Sequence, residues 1–227
     1  VMRGASSDCA LVTAASRDRN AHVALAAIDA LAAPCSDSAA ANGALREIAG
    51  ALPRSDSPRV AGRPTWHAGA HAYVALARVD SAFVSGGLAR LAAHERWQVR
   101  AYAARAAALV DDRATLRAFA EDQRFSRARA ADSNHNVRET AIAGLSEVAK
   151  HDGDSIYVAN LSSPGYQVVL SAATALAGSS HPGAAPALLD ALDRLTRERR
   201  ENSRDPRAAA RRDGERRQAL PGPHAQP

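Results

Sequence analysis

The sequence has few aromatic residues, a single lysine and no long apolar run. Aromatic side chains make up 4% of the 227 residues, and about half of the 46% hydrophobic share is alanine. This composition lacks the bulk of a core built from Leu, Ile and Phe, and it favours thin, closely packed helices. Strand-forming residues are sparse and do not alternate over a useful length, so we expect no sheet. We therefore predict an all-α protein.

Membrane-spanning and export signals are also missing from the sequence. No apolar run approaches the roughly 18 residues that suggest a membrane helix. The first ten residues, VMRGASSDCA, lack the apolar core of a signal peptide. We expect no membrane span and no signal peptide, with the cytoplasm as the default compartment. Because the sequence starts with valine, we also expect it to be a piece of a longer protein.

Cysteine is nearly absent, since Cys9 and Cys35 are the only two. Their spacing matches neither a CxxC pair nor a metal-binding set. Free cysteine is commonly just a buried small side chain, so we expect two reduced, partly buried thiols. A disulfide stays open as the alternative.

The charge balance raises the question of nucleic-acid binding. The formal net charge is +5 and the isoelectric point is about 9.8. The segment from Arg197 to Arg217 contains nine arginines and five acids, a surplus of four positive charges. The rest of the chain is therefore nearly neutral. Interleaved acids such as Glu95 and Glu139 would repel phosphates, which makes nucleic-acid binding the weaker alternative. The residues available for it are Arg100, Arg105, Arg138, Trp66 and Trp97.

An internal repeat organises the chain. Four segments align on a shared valine: HVALAAIDALA (22–32), QVRAYAARAAA (98–108), NVRETAIAGLS (136–146) and QVVLSAATALA (167–177). A degenerate copy, WHAGAHAYVALA (66–77), has Ala68 in the valine slot. Further helical segments are expected at 38–51, 80–93, 112–131, 153–161 and 183–200, separated by short polar breaks. The predicted unit is helix, turn, helix, turn, with apolar residues three or four apart on one helix face.

These segments resemble HEAT repeats, in particular the short HEAT-like repeats of bacterial proteins. The xxVRxxAxxAL signature stands here as QVRAYAARAAAL and NVRETAIAGL. The resemblance implies an α-solenoid of about five helical hairpins, because a single hairpin cannot bury its apolar face alone. It implies a turn acid five residues before the valine, able to cap the next helix. The structural anchors expected on this basis are Val23, Val99, Val137, Val168, Asp18, Asp132, Arg100 and Arg138.

The order of motifs also resembles the helical array of bacterial proteins that end in a cyclophilin-type peptidyl-prolyl isomerase domain. The segments that carry this likeness run from HVALAAIDALAAPC to ERRENSRDPR and cover most of 9–207. No cyclophilin-like strand pattern occurs in the sequence, so no catalytic residue can be assigned from the likeness. A non-catalytic scaffold that binds a protein partner is the main functional hypothesis. The alternative is the docking arm of such an isomerase.

The expected domain organisation is one solenoid over 1–202 and a tail over 203–227. A loop insertion is expected at about 53–65, where Pro53, Pro58 and Pro64 occur together. The tail is basic and rich in Pro and Arg, with no apolar period, so we expect either a disordered segment or a frameshifted end.

The stretch WQVRAYAARAAAL at 97–109 fits either a ligand site or a helix surface used only for packing against other helices, and we predict the packing surface. Val99, Ala103, Ala106 and Ala107 should face neighbouring helices, because repeats must bury their faces to be stable. Trp97 should lie at the start of this helix, with its ring packed against the turn that leads into the helix. Arg100 should point towards neighbouring turns.

The candidate chemical motifs are weak. His67 and His71 have a spacing that can place two zinc ligands on one helix face, but no acid or cysteine lies near them in sequence. His94 and Glu95 lack the second histidine of a metalloprotease motif. Asp111 and Asp112 are expected to be turn residues, since nothing indicates a pocket beside them. We expect no catalytic, cofactor-binding or metal-binding residue.

Overall fold

A computed structural model describes residues 9–33, 37–53, 66–121 and 131–204, with the side chains of 131–134 and 202–204 excepted. Within these ranges the regular structure is helical throughout, and no strand occurs. The prediction of an all-α protein is therefore confirmed for the described residues. The expected loop insertion and most of the expected tail lie outside them.

The helices follow the sequence pattern closely. Each predicted helical segment overlaps an observed helix, and α1 was not predicted. The helices are α1 Cys9–Ala15, α2 Ala21–Ala30, α3 Ser38–Gly50, α4 Trp66–Val79, α5 Ser81–Ala92, α6 Trp97–Leu109, α7 Arg113–Glu121, α8 Ala131–Val148, α9 Asp154–Asn160, α10 Tyr166–Ala175 and α11 Ala184–Arg204, with a short 3₁₀ helix at Lys150–Gly153.

The chain divides into two compact units, 1–181 and 182–227. The first unit contains α1 to α10 and all the residues discussed below. The second contains α11, which is amphipathic and has exposed leucines at Leu189 and Leu192.

Aspartates cap the starts of three odd-numbered helices, α3, α5 and α7. The carboxylate of Asp37 accepts a hydrogen bond from Ala40 N at 3.0 Å in front of α3. Asp80 accepts from Phe83 N in front of α5 at 3.4 Å. Asp112 accepts from Thr115 N in front of α7 at 2.9 Å. A helix leaves its first N–H groups without partners, so each of these acids stabilises a helix start.

The even-numbered helices of the first unit pack in series. Helix α2 contacts α4, α4 contacts α6, α6 contacts α8, and α8 contacts α10. The odd-numbered helices pack beside them, α3 on α4, α5 on α6, α7 on α8 and α9 on α10. Each of α2, α4, α6 and α8 thus contacts the odd helix that precedes it and the next even helix along the chain.

Small residues let α6 and α8 approach closely. In α6, Ala103, Ala104, Ala106 and Ala107 have no solvent exposure. A Cβ atom added to Gly144 of α8 would lie 2.8 Å from the Cβ of Ala108, closer than two such atoms can approach. Glycine is therefore required at 144 for this helix pair to keep its spacing.

The expectation of two reduced thiols is wrong. Cys9, the first residue of α1, is 3% exposed and disulfide-bonded. Cys35 is the only other cysteine of the chain and lies outside the described residues. Pairing depends on the tertiary approach of two chain segments, which the spacing of cysteines in a sequence does not reveal.

Candidate functional site

The four expected valine anchors do not share one environment. Val99, Val137 and Val168 are 0%, 5% and 0% exposed, whereas Val23 is 43% exposed. Val23 is therefore not a buried anchor, contrary to the expectation from its place in the repeat. The buried residues of α2 are Ala24, Ala27 and Ile28. Val23 lies on the first even helix, which has no earlier even helix in the described series to cover it.

The two expected turn acids also depart from the prediction. The carboxylate of Asp18 accepts a hydrogen bond from Asn20 N at 2.7 Å, and Asn20 itself caps α2 by accepting from His22 N at 3.0 Å. Asp18 therefore shapes the turn and does not cap the helix. Asp132 lies inside α8 and not in a turn.

Arg100 lies inside the protein. It is 5% exposed, and its Nη1 donates to the backbone oxygens of His94 and Glu95 at 2.7 Å each. The guanidinium thus supplies hydrogen bonds to two backbone carbonyls in the turn between α5 and α6. This is a structural use of the charge, because a buried carbonyl without a donor would destabilise the fold.

His94 and the Asp111–Asp112 pair also have structural contacts. The ring of His94 is 5% exposed, with Nε2 2.9 Å from Pro53 O and Nδ1 accepting from Arg96 N at 3.0 Å. These contacts hold the turn before α6. Asp111 has a positive φ of 55° and pairs with Arg113 at 3.0 Å, while Asp112 starts α7.

Arg138 lies in the wall of a cavity of about 590 Å³ at the ends of α7 and α9. Arg138 is 6% exposed and Asn160 is 7% exposed. The amide of Asn160 donates to Ala120 O at 3.3 Å and to Ile156 O at 2.9 Å, which ties α9 to the end of α7. The buried amide of Asn160 in the wall of this cavity therefore serves helix packing.

A second group of side chains gathers on α4, α6 and the turn before α6. Its members are aromatic, imidazole and guanidinium groups that stack or hydrogen-bond with one another. We call it the aromatic–arginine cluster and define it as Trp66, His67, His71, Arg96, Tyr102 and Arg105.

A hydrogen-bond chain through His71 and Tyr102 of this cluster joins three consecutive even helices. His71 Nδ1 on α4 lies 2.8 Å from Asp29 Oδ1 on α2. His71 Nε2 lies 2.7 Å from the hydroxyl of Tyr102 on α6. The neutral tautomer that satisfies both contacts donates from Nδ1 to Asp29 and accepts the Tyr102 hydroxyl at Nε2. The side chain of His71 is 19% exposed, so the chain fixes a ring that is largely buried.

The outer part of the cluster is a stack of rings and a cation. The rings of Trp66 and His67 are stacked with centroids 3.7 Å apart, and Trp66 also meets Tyr102 edge-on at 6.4 Å. The Arg96 guanidinium lies 5.9 Å from the centre of the Trp66 ring. Burial lowers the pKa of His67 below its ordinary value of 6.5, and the positive charges of His71 in its protonated form and of Arg96 lower it further. The side chain of His67 is therefore neutral at neutral pH.

Arg105 completes the cluster on α6. Its guanidinium lies 5.0 Å from the centre of the Tyr102 ring, while the residue itself is exposed. When a guanidinium lies over an aromatic ring, its N–H groups still point outward from the edge of the guanidinium. They can therefore donate to a carboxylate. The cluster thus offers half-buried aromatic surface bordered by cationic donors.

Sequence reasoning paired His67 with His71 as candidate zinc ligands and placed Trp66 and Arg105 among possible nucleic-acid contacts, but it did not join the two sets. No acid lies near His71 in sequence, but Asp29 contacts it from 42 residues away. Arg96 and Tyr102 were missed. The four-residue steps from His67 to His71 and from Trp66 to Ala70 were a signal for one shared helix face, but only tertiary packing brings Tyr102 to it.

No group of three or more His, Cys, Asp or Glu side chains among the described residues is placed to hold a metal ion. Among the helices in the described ranges, none combines the length and apolar character that a membrane crossing requires.

No family model, curated protein or solved structure matches the chain.

Proposed function

We propose that this chain is a non-catalytic, HEAT-like α-solenoid that binds a protein partner through the aromatic–arginine cluster. Support for the solenoid comes from the serial packing of the even helices, α2 on α4 through α8 on α10. Support for binding comes from one observation, the half-exposed cluster itself. Trp, Tyr and Arg are the residue types that dominate binding energy at protein interfaces.

The environment of the cluster favours a rigid binding surface. Tyr102 and His71 are fixed by the hydrogen-bond chain to Asp29, and Trp66 contacts both the ring of His67 and the guanidinium of Arg96. Side chains that are already ordered lose little conformational entropy when a partner binds. The geometry therefore suits recognition better than a set of freely rotating surface arginines would.

The nucleic-acid alternative has a smaller basic surface than the sequence suggested. Arg100 and Arg138 are buried, so only Arg105 of the three arginines considered remains on the surface. A phosphate-binding face needs several exposed cations along one stripe.

Peptide selection on the purified full chain tests the proposal. Peptides from a random display library are selected on the wild-type chain, and their affinities are then measured for Trp66→Ala, Arg105→Ala and a control. We expect each cluster variant to weaken binding roughly tenfold or more. The control is Arg117→Ala on α7, whose guanidinium donates to Asp152 O at 3.1 Å, apart from the cluster.

The selected sequences distinguish the remaining outcomes. Peptides that bind all three variants as well as the wild type would contradict the proposal. A shared proline in the selected peptides, with affinity lost in the cluster variants, would favour the docking arm of a prolyl isomerase over a general scaffold.

A further inference from the structure

The two helices that carry most of the aromatic–arginine cluster contain no acidic residue. Helix α4 reads WHAGAHAYVALARV and α6 reads WQVRAYAARAAAL, and the two helices pack on each other. Their only side chains with a permanent charge are the arginines Arg78, Arg100 and Arg105. Arg100 is buried against two backbone oxygens. The exposed charge of this helix pair is therefore positive.

Arg78 and Arg105 are the exposed cations of the pair. Arg78 follows His71 by two helical turns, so the two residues lie on one face of α4. Arg105 lies over the ring of Tyr102, whose hydroxyl contacts His71. Among the described residues, neither guanidinium forms an ion pair with a carboxylate. Both can therefore donate to an anion from outside the chain.

Aromatic surface adjoins these charges. The guanidinium of Arg105 lies 5.0 Å from the centre of the Tyr102 ring, and that of Arg96 lies 5.9 Å from the centre of the Trp66 ring. Both aromatic residues are half-buried, and their rings meet edge-on with centroids 6.4 Å apart. A ligand on this surface can pack an apolar side chain on a ring and place a carboxylate against a neighbouring guanidinium.

Acids occur on the even helices at both sides of this pair. On α2, Asp29 has a side chain that is 58% exposed and lies 2.8 Å from His71. On α8, Glu147 is exposed. A polyanion that extended over α2 or α8 would meet these carboxylates, whereas a segment confined to α4 and α6 would not. The charge pattern therefore favours a short acidic segment over a nucleic acid.

We propose that the partner segment bound by the aromatic–arginine cluster is an acidic peptide segment, in which an Asp or Glu stands next to an apolar or aromatic residue. This inference rests on the proposed function, because it names the chemistry of the partner at the same surface. The carboxylates accept hydrogen bonds from Arg105 and Arg78, and the apolar side chain packs on Tyr102 and Trp66. Opposite charge also speeds association and discriminates against basic partners.

Fluorescence anisotropy of labelled peptide pools on the purified full chain tests the charge of the partner. Three pools have equal length and carry Trp and Leu at the same positions. Their other positions hold Asp and Glu in the acidic pool, Asn and Gln in the amide pool, and Lys and Arg in the basic pool. We expect the acidic pool to bind roughly tenfold more tightly than the amide pool, and its affinity to fall as salt is added. The basic pool should bind most weakly.

Arginine variants locate the contact. Arg78→Gln and Arg105→Gln should each weaken binding of the acidic pool by about threefold or more and change that of the amide pool little. Arg105→Glu should move the preference from the acidic pool towards the basic pool. Arg117→Gln on α7 is the matched control and should bind as the wild type, since its guanidinium donates to Asp152 O, apart from the cluster. Circular dichroism of the Arg78 and Arg105 variants should match the wild type, because both side chains are exposed.

The outcomes separate this inference from the proposed function. Equal affinity for the acidic and amide pools, with both lost in Trp66→Ala, would overturn the acidic partner and leave the cluster as a binding surface. So would failure of the acidic pool to bind while library-selected peptides bind in a Trp66-dependent way. Binding that is unaffected by Trp66→Ala in every pool and every selected peptide would overturn both proposals. Tighter binding of a random single-stranded DNA than of the acidic pool, lost in Arg78→Gln and Arg105→Gln, would indicate a nucleic acid and overturn the acidic peptide.

Discussion

His71 Nδ1 on α4 lies 2.8 Å from Asp29 Oδ1 on α2, and this contact joins two even helices whose residues are far apart in sequence. We expect Asp29→Ala and His71→Ala each to lower the free energy of unfolding. In a double-mutant cycle the pair should show a coupling of about 0.5–1.5 kcal/mol, because the bond is partly exposed. Urea denaturation of the four proteins measures it, and additive effects would mean that the contact stabilises nothing.

Gly144 should not tolerate a methyl group. Gly144→Ala places a Cβ 2.8 Å from that of Ala108, so α6 and α8 must separate, and we expect a loss of about 1–3 kcal/mol. Gly43→Ala on α3 is the control, since an added Cβ there meets nothing within 4 Å. Its higher helix propensity should stabilise the protein by up to about 1 kcal/mol. Thermal melts of the two variants should move in opposite directions.

Val137→Asp should unfold the array around α8. Val137 is 5% exposed, and burying an unpaired carboxylate there should destabilise the protein by about 3 kcal/mol or more. Arg117→Ala should change stability by less than about 0.5 kcal/mol, because its one described hydrogen bond is at the surface. Similar melting curves for the two variants would show that the repeat register is wrong.

The lowered pKa of His67 predicts a dependence of stability on pH. In the unfolded chain His67 titrates near 6.5, and in the folded protein it titrates at a lower pH. Between these two values the unfolded state binds more protons, so stability falls as the pH is lowered through this window. His67→Gln should flatten that slope relative to the wild type. Urea midpoints measured from pH 7 down to pH 5 test the difference, and equal slopes would contradict it.

The fluorescence of Trp66 should report the titration of His67 directly. Protonation of His67, stacked at 3.7 Å, should quench the indole fluorescence of Trp66. In a Trp97→Phe background, where Trp66 is the only tryptophan, we expect a fluorescence transition with its midpoint below pH 6.5. His67→Gln should abolish the transition.

The disulfide of Cys9 predicts the behaviour of the thiols. Protein unfolded in guanidinium without reductant should show no thiol that reacts with a chromogenic disulfide reagent. After reduction it should show two. Reduction should lower the free energy of unfolding by about 3 kcal/mol, since the cross-link restricts the unfolded chain. Reactive thiols in the unreduced protein would contradict the pairing.

Sequence reasoning located the helices well because their signals are local. Alanine content, polar breaks and three- and four-residue apolar steps predicted segments such as 66–77 and 98–108, which overlap α4 and α6. The HEAT-like solenoid itself stays a proposal.

The contacts between helices were less accessible to sequence reasoning. Val23 was assigned as an anchor from its pattern, but its burial depends on a neighbouring helix that α2 does not have in the described series. The Asp29–His71–Tyr102 hydrogen-bond chain joins three helices, and residues this far apart produce no periodic pattern in the sequence. Asp37, Asp80 and Asp112 before α3, α5 and α7 were local cap signals that could have been found.

The alanine-lined junction between α6 and α8 also has a calorimetric consequence. When this junction unfolds, each residue exposes little apolar area, because alanine side chains are small. Alanine also gains almost no side-chain rotational entropy on unfolding. The heat-capacity increment per residue should therefore be smaller than in a domain packed with Leu and Phe. A smaller increment flattens the curve of stability against temperature, so this part of the chain should lose stability slowly on both cooling and warming.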